Sequence, residues 1–196
     1  LYIAYPGGGN GYKVYETTDG GQNWNNLTTS ILNGESVRSV VSVGGTNEGV
    51  YAFTDFNVFY RNANMSDWEL VDDELPEVLK TNAARPFYRD GKVRVATYGK
   101  GIWQADLYDT PLPVAQPMVD KLGSRLICAA LADTFYFDDY SMLNHANAAW
   151  NWTFEDAAPA NSNLRNPKVV FTMPGEKLVS LTITDGAGNS STDSLK

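Results

Sequence analysis

Two tryptophans 44 residues apart, each set at the end of a matching hairpin-like segment, restrict this chain to an architecture built from repeats. The segment Thr17-Thr18-Asp19-Gly20-Gly21-Gln22-Asn23-Trp24 has the spacing T-x-D-x-G-x-x-W. Val14-Tyr15 returns as Val58-Phe59 and Trp24 as Trp68, both at the same offset with no gap between them. At the second turn Asp19 has become Ala63 and Gly21 has become Met65, so the turn chemistry is lost while the flanking strands, 57–62 and 68–71, survive. A third echo sets Val50-Tyr51-Ala52-Phe53-Thr54 beside Val93-Arg94-Val95-Ala96-Thr97, with Gly101-Ile102-Trp103 near the place of Val58-Phe59 after one inserted residue. In the intact copy each residue type has a physical task. Asp19 can accept hydrogen bonds from backbone N–H groups further along the turn. Gly20-Gly21 supplies positive φ without a Cβ clash. Trp24 is expected to open the next strand and carry its apolar surface inward.

These residues resemble the Asp-box, or BNR repeat, of sortilin- and sialidase-like β-propellers. The resemblance implies that Thr17, Asp19, Gly21 and Trp24 are structural, and that Trp68 marks a degenerate copy. A period in the low forties with four short strands per unit fits a propeller blade. On that period Leu1–Tyr5 is a second strand, Gly11–Thr17 a third and Trp24–Thr28 an outermost fourth. One whole blade runs from Val37 to Val71, and Ala84–Tyr88, Lys92–Thr97 and Ile102–Leu107 give three strands of another. That is roughly two and a half blades, where a closed ring needs at least about four. An open stack would expose strand edges. The expected partner is therefore a set of missing N-terminal blades, or a complementary chain, that completes the propeller. Residues 1–110 are then its C-terminal part.

Thr110-Pro111-Leu112-Pro113 reads as a stiff linker at 111–113, since each proline removes a donor and extends its predecessor. Beyond it the pattern alternates as half-buried strands do. Trp150, Trp152 and Phe154 share one face, Phe135 and Phe137 flank Tyr136, and Val179, Leu181 and Ile183 point one way. Met173-Pro174-Gly175-Glu176 has the proline and glycine of a type II turn. Residues 114–196 resemble a PKD domain, an immunoglobulin-like sandwich, through Trp150-Asn151-Trp152-Thr153-Phe154-Glu155-Asp156, through Phe137-Asp138-Asp139-Tyr140-Ser141, and through Pro174-Gly175 followed by 179–185. Glu155-Asp156-Ala157 departs from that family's glycine-aspartate-glycine, and Lys177-Leu178 from its tyrosine region. The expected fold class is all-β, a partial Asp-box propeller followed by an immunoglobulin-like PKD sandwich.

The chain has 15 basic and 23 acidic residues, a net charge of −8, which disfavours nucleic acid as a partner. No apolar run approaches the roughly 20 residues of a membrane helix. Cys128 is alone, which excludes an intrachain disulfide and fits a small buried hydrophobe. Asp-box blades joined to a PKD module look like secreted or surface proteins of Bacteroidetes-type bacteria, many of which leave the cell by type IX secretion.

Catalysis is the sharper hypothesis, because Asp-box propellers include sialidases and xyloglucanases. Arg38, Arg61, Arg85, Arg89 and Arg94 match no arginine triad of that kind. Tyr15 and Glu16 are adjacent and so face opposite sides of a strand. Asp72-Asp73-Glu74 reads as a solvated turn rather than paired carboxylates set roughly 6.5–9.5 Å apart. His145 is the single histidine, and it is expected in a polar loop with Asn144 and Asn147. Asp138, Asp139, Asp156, Asp185 and Asn189 are oxygen donors of the type calcium takes, set against the reading that they satisfy turns; no other cofactor is expected. Trp24, Trp68 and Trp103 are expected as blade core, and Tyr12, Phe56 and Tyr98 as the aromatics for glycan stacking. The reading is a non-catalytic binding and structural segment of an extracellular multidomain protein. It uses loops for protein or glycan recognition and the PKD module as spacer or adhesion unit. The alternatives are the C-terminal part of a glycan-active hydrolase with catalytic residues upstream, and a component of an extracellular filament or secretion-linked assembly.

Overall fold

The computed structural model describes residues 1–71, 75–76, 80–121 and 133–196; the acidic run 72–74 and Cys128 lie outside the described residues. The fold is all-β, with several antiparallel sheets and single 3-10 turns at Ser30–Leu32 and Tyr88–Asp90. It divides into two compact units, one of residues 1–87 and 91–110, the other of 88–90 and 111–196.

The first unit is a succession of antiparallel meanders in which chain neighbours always pair. Sheet 1 contains β1 (Tyr2–Ala4), β2 (Val14–Glu16) and β3 (Asn25–Asn26). Sheet 2 contains β4 (Ser39–Val43), β5 (Gly49–Phe53), β6 (Val58–Arg61) and β7 (Glu69–Leu70), and sheet 3 contains β8 (Thr81–Phe87), β9 (Lys92–Thr97) and β10 (Gly101–Asp106). The strands of sheet 1 are shorter than their patterns predict. Gly11 takes φ 86° in a glycine-rich loop that consumes the start of the expected Gly11–Thr17 strand, and Trp24 falls outside the strand it was expected to open. Sheet 3 begins three residues before the expected Ala84, across an irregularity between Thr81 and Ala83.

Sheet 2 explains why Gly49-Val50-Tyr51-Ala52-Phe53 is an unbroken apolar run: every residue of β5 is buried, as in a strand covered on both faces. Val50, Ala52, Phe59 and Trp68 form a core with Val14 and Leu27 of sheet 1 and with Leu32 and Val37 of the connection. On the other face Tyr51 lies against Phe53 at 5.6 Å and Tyr60 at 4.8 Å, and Tyr60 stacks on Tyr108 at 4.5 Å. The polar ends of these rings are satisfied. Tyr60 donates to Asp109 at 2.7 Å, and the Tyr51 hydroxyl accepts the Tyr108 N–H at 2.7 Å. Burial pushes the Tyr51 hydroxyl up to about 12.

The second unit holds two four-stranded sheets. Its strands are β11 (Pro117–Val119), β12 (Thr134–Asp139), β13 (Ala149–Phe154), β14 (Ala157–Ala158), β15 (Asn161–Ser162), β16 (Lys168–Phe171), β17 (Val179–Thr184) and β18 (Ser190–Leu195). The orders are β11-β12-β16-β14 and β15-β13-β17-β18. The alternating residues all meet in one core: Phe135 and Phe137 from one sheet, Trp152, Phe154, Val179, Leu181 and Ile183 from the other, with Ala115, Leu143 and Val169. Tyr136, between the two phenylalanines, is exposed. Gly175 has φ 115°, as the expected turn between β16 and β17 requires. Asp139 is the buried polar residue of this core's rim. Its carboxylate accepts the Ser141 N–H at 3.0 Å and the Trp150 indole N–H at 2.9 Å, with the Arg165 guanidinium at 3.4 Å.

Candidate functional site

The T-x-D-x-G-x-x-W turn closes between β2 and β3 through its own side chains. The Thr17 hydroxyl donates to Asp19 Oδ1 at 2.8 Å and accepts the Gly21 N–H at 2.9 Å. Asp19 Oδ1 accepts the Asn23 N–H at 2.9 Å and Oδ2 the Asn23 side-chain amide at 2.7 Å. Gly20 and Gly21 sit at φ 74° and 94°. The Asn23 backbone N–H first, then the Asn23 and Thr17 side chains, hold the Asp19 carboxyl well below the usual carboxylate range. Every side-chain oxygen of Thr17 and Asp19 is thus committed to the turn. Thr17→Val is expected to cost about 1–3 kcal/mol, because it leaves the Gly21 N–H unpaired in a partly buried turn. Chemical denaturation checks this, and Thr17→Ser should retain most of the stability.

The tryptophans do not share one environment. Trp68 is 1 % exposed and donates from its indole nitrogen to the Leu27 carbonyl at 2.8 Å, whereas Trp24 is 40 % exposed. The expected inward plug at Trp24 is corrected: sheet 1 covers Trp68, and no described sheet covers Trp24. Trp103 also departs from expectation, at 39 % exposed. It lies in β10 opposite Val95, a strand position, whereas Trp68 precedes β7 and Trp24 precedes β3; it is not their equivalent.

The end of the sheets opposite the Asp19 turn carries the aromatic side chains proposed for stacking. Tyr12 lies in the β1–β2 loop, Phe56 in the β5–β6 loop and Tyr98 in the β9–β10 loop, so all three occupy the same topological position in successive sheets. They are 66 %, 53 % and 79 % exposed. A hydrogen-bonded belt joins the loops that bear them. Ser36 donates to Pro6 O at 3.0 Å, and the buried Lys13 ammonium donates to the carbonyls of Gly8 and Glu35. The Asn57 side chain donates to Glu35 Oε1. Arg38 is bidentate on Asp55 at 2.8 and 2.9 Å, Lys80 N–H donates to Asp55 O at 2.9 Å, and Tyr98 N–H donates to Lys80 O at 3.1 Å. Three exposed rings therefore stand on one connected frame. No local pattern marks the buried Lys13, whose carbonyl ligands come from residues 5 and 22 positions away.

The residues considered for catalysis are engaged locally. Arg38 pairs with Asp55, the Arg61 guanidinium lies 5.6 Å from the Trp68 ring centroid, and the Arg94 guanidinium lies 4.3 Å from that of Phe87. Arg85 donates to Ala84 O, and Arg89 lies in the Tyr88–Asp90 turn. His145 occupies the expected loop, but packs edge-on against Trp150 at 5.3 Å, and burial lowers its pKa. The oxygen donors considered for calcium lie in separate turns and strand ends. Asp138 and Asp139 end β12, Asp156 follows β13 and binds the Lys177 ammonium at 2.6 Å, and Asp185 holds the Ala187 and Asn189 N–H groups of the β17–β18 turn. Among the described residues no group of three or more histidine, cysteine, aspartate or glutamate side chains is placed to hold a metal ion.

Two solved extracellular domains of B. thetaiotaomicron are similar to this chain at low level. One, described as part of a hybrid two-component system, is 9 % identical with a TM-score of 0.38 over 91 % of this chain and 27 % of its own. The other, described as part of a one-component system, is 9 % identical with a TM-score of 0.36 over 95 % of this chain and 32 % of its own. The chain thus spans about a third or less of the length of those structures. No curated protein matches the sequence. No helix among the described residues is long and apolar enough to cross a membrane. Residues 114–196 match the model of the PKD domain, so the C-terminal pair of sheets is a PKD, immunoglobulin-like domain.

Proposed function

We propose that this chain is a non-catalytic binding segment of a secreted or cell-surface protein, in which residues 1–110 are Asp-box propeller blades that present loops to a glycan. Residues 111–113 act as linker, and residues 114–196 as spacer or adhesion module. The observation that carries the reading is the placement of Tyr12, Phe56 and Tyr98. Exposed rings in equivalent loops of successive sheets give a row of apolar faces on a hydrogen-bonded frame, and sugar rings stack on such faces through their C–H surfaces. The engaged arginines and the carboxylates committed to turns support recognition over hydrolysis. The blade reading is supported by the order of the three sheets and by the side-chain-closed turn at Asp19. The ring it implies would be completed by further blades or a complementary chain.

The test is binding of neutral surface polysaccharides by calorimetry, with Tyr12→Ser, Phe56→Ser and Tyr98→Ser. Each substitution is expected to weaken binding roughly fivefold to tenfold with little change in stability, as the loss of one stacking contact would. Polysaccharide affinity equal in all three variants and the parent would refute the reading, as would bond cleavage by the chain. A protein ligand lost in the same three variants would keep the binding edge and replace the glycan.

A further inference from the structure

β10 ends sheet 3, and among the described residues no strand pairs with its outer side. In sheets 1 and 2 the strand in the same place carries a further antiparallel strand, β3 on β2 and β7 on β6. The inner side of β10 tells which of its backbone groups face out. The Leu107 N–H donates to Gly91 O at 2.9 Å, whereas the Tyr98 N–H, on the other side of β9, donates to Lys80 O at 3.1 Å. Antiparallel bonding alternates, so Trp103 and Ala105 bond to β9, while the N–H and C=O groups of Ile102, Gln104 and Asp106 point to the free edge. The side chains do not guard that edge. Ile102 is 76 % exposed and Trp103 39 % exposed. β18, an edge strand of equal length in the second unit, instead presents Ser190-Ser191-Thr192-Asp193-Ser194, a polar run that discourages pairing. Charge stands at the two ends of the β10 edge, positive at Lys100 just before the strand and negative at Asp106, whose carboxylate meets the Lys92 ammonium at 2.7 Å.

We propose that β10 pairs antiparallel with β10 of a second copy of this chain, on a two-fold axis through Trp103. In that register the outward groups of Ile102 bond with those of Gln104 of the second copy, and the reverse pair repeats across the axis. Trp103 meets Trp103 of the second copy in a non-hydrogen-bonded pair, where opposing side chains approach most closely. The ring lies on the same side of sheet 3 as Val95 and Ala84, both buried, so the pair extends that core outward. Lys100 falls opposite Asp106 of the second copy, twice per dimer. Other axes that keep the outward groups bonded lose this match: an axis through Gln104 sets Asp106 against Ile102, and one through Ile102 sets Lys100 against Gln104. The edge is thus its own complement, with opposite charges at opposite ends and the aromatic ring at the centre. A single strand pair lies below the about 1,200 Å² at which standard interfaces begin, so the dimer is a reversible one. The proposal is independent of what the loops bind.

Sedimentation velocity over a dilution series, paired with residue-resolved amide exchange, tests it. The sedimentation coefficient is expected to rise with concentration from the monomer value toward the dimer value. Over the same range the amides of Ile102, Gln104 and Asp106 should pass from fast to slow exchange, while those of Trp103 and Ala105 are slow throughout. Lys100→Glu and Asp106→Lys should each weaken association roughly tenfold, because each sets like charges opposite one another at two places in the dimer. The double variant Lys100→Glu/Asp106→Lys restores both pairs and should recover most of the parent's affinity. Gln104→Pro removes an outward N–H and no bond to β9, so it should abolish the dimer and leave the far-UV dichroism of the monomer unchanged. A chain that stays monomeric at every concentration would overturn the proposal. So would a dimer in which the Ile102, Gln104 and Asp106 amides remain fast, since it would use another surface. Slow exchange of those three amides in the dilute monomer would also overturn it, because the edge would then be covered within the chain.

Discussion

Trp152→Ala is expected to destabilise the PKD domain by about 3–5 kcal/mol, the cost of emptying a large aromatic site in a packed core. Trp152 is fully buried on β13, between β15 and β17, and is stacked on Phe154 at 5.9 Å and tilted against Phe137 at 5.6 Å. Those rings come from both sheets of the sandwich, so the cavity would lie where the sheets are joined. A domain of this size has a stability of order 5–10 kcal/mol, so the variant would be close to unfolding at moderate temperature. One detail separates the volume of the side chain from its polar atom. The Trp152 indole nitrogen is buried without a hydrogen-bond partner. Trp152→Phe removes that unpaired donor and keeps most of the ring, so it is expected to cost under about 2 kcal/mol. Denaturant unfolding followed by far-UV dichroism checks both, with a shift in midpoint and little change in slope. A loss below about 1 kcal/mol for the alanine variant would show that the two sheets hold together without this residue.

The contrast between Trp152 and Trp24 marks what the amino-acid sequence makes legible. Period-two alternation at 150–154, 135–137 and 179–183 states which side chains share a face, and in a two-sheet sandwich one face has a single place to go. The core of 114–196 was therefore readable from local pattern alone. At Thr17–Trp24 the pattern identified the turn, since hydroxyl, carboxylate and glycine act on neighbours within a few residues. It said nothing about what covers the tryptophan, which depends on a sheet elsewhere in the chain. Trp24 and Trp68 hold the same position in the 44-residue repeat and differ in exposure for that reason. The exposed loop aromatics were legible as types, but their common topological position emerged only with the sheet order. Lys13 was missed because its partners are carbonyls, which leave no mark in a sequence. Carboxylates in turns look alike in a sequence whether they serve a metal or their own backbone, and in the structure Asp185 holds the N–H groups of its turn.

Trp68→Ala is expected to have a comparable effect on the first unit, about 3–5 kcal/mol, and to act on the seam between sheets 1 and 2. Sheet 1 contributes only three short strands, and β3 has two exposed residues, so it has little stability of its own. Its hold on sheet 2 is the cluster of Val14, Leu27, Val50, Ala52, Phe59 and Trp68, in which Trp68 has the largest side chain. The substitution removes that side chain together with the indole bond to Leu27 O. The expected result is local: amides of β1–β3 lose hydrogen-exchange protection well before those of β4–β6, because β4–β6 retain their own ladder and the Tyr51–Tyr60–Tyr108 stack on the far face. Trp68→Phe should recover the packing and forgo about 1 kcal/mol for the lost hydrogen bond. If β1–β3 and β4–β6 instead lose protection together and by equal amounts, the three sheets unfold as one block and the seam is not the weak point. Protection unchanged throughout would mean that the tryptophan repeat, from which the organisation of this unit was read, does not hold its sheets together.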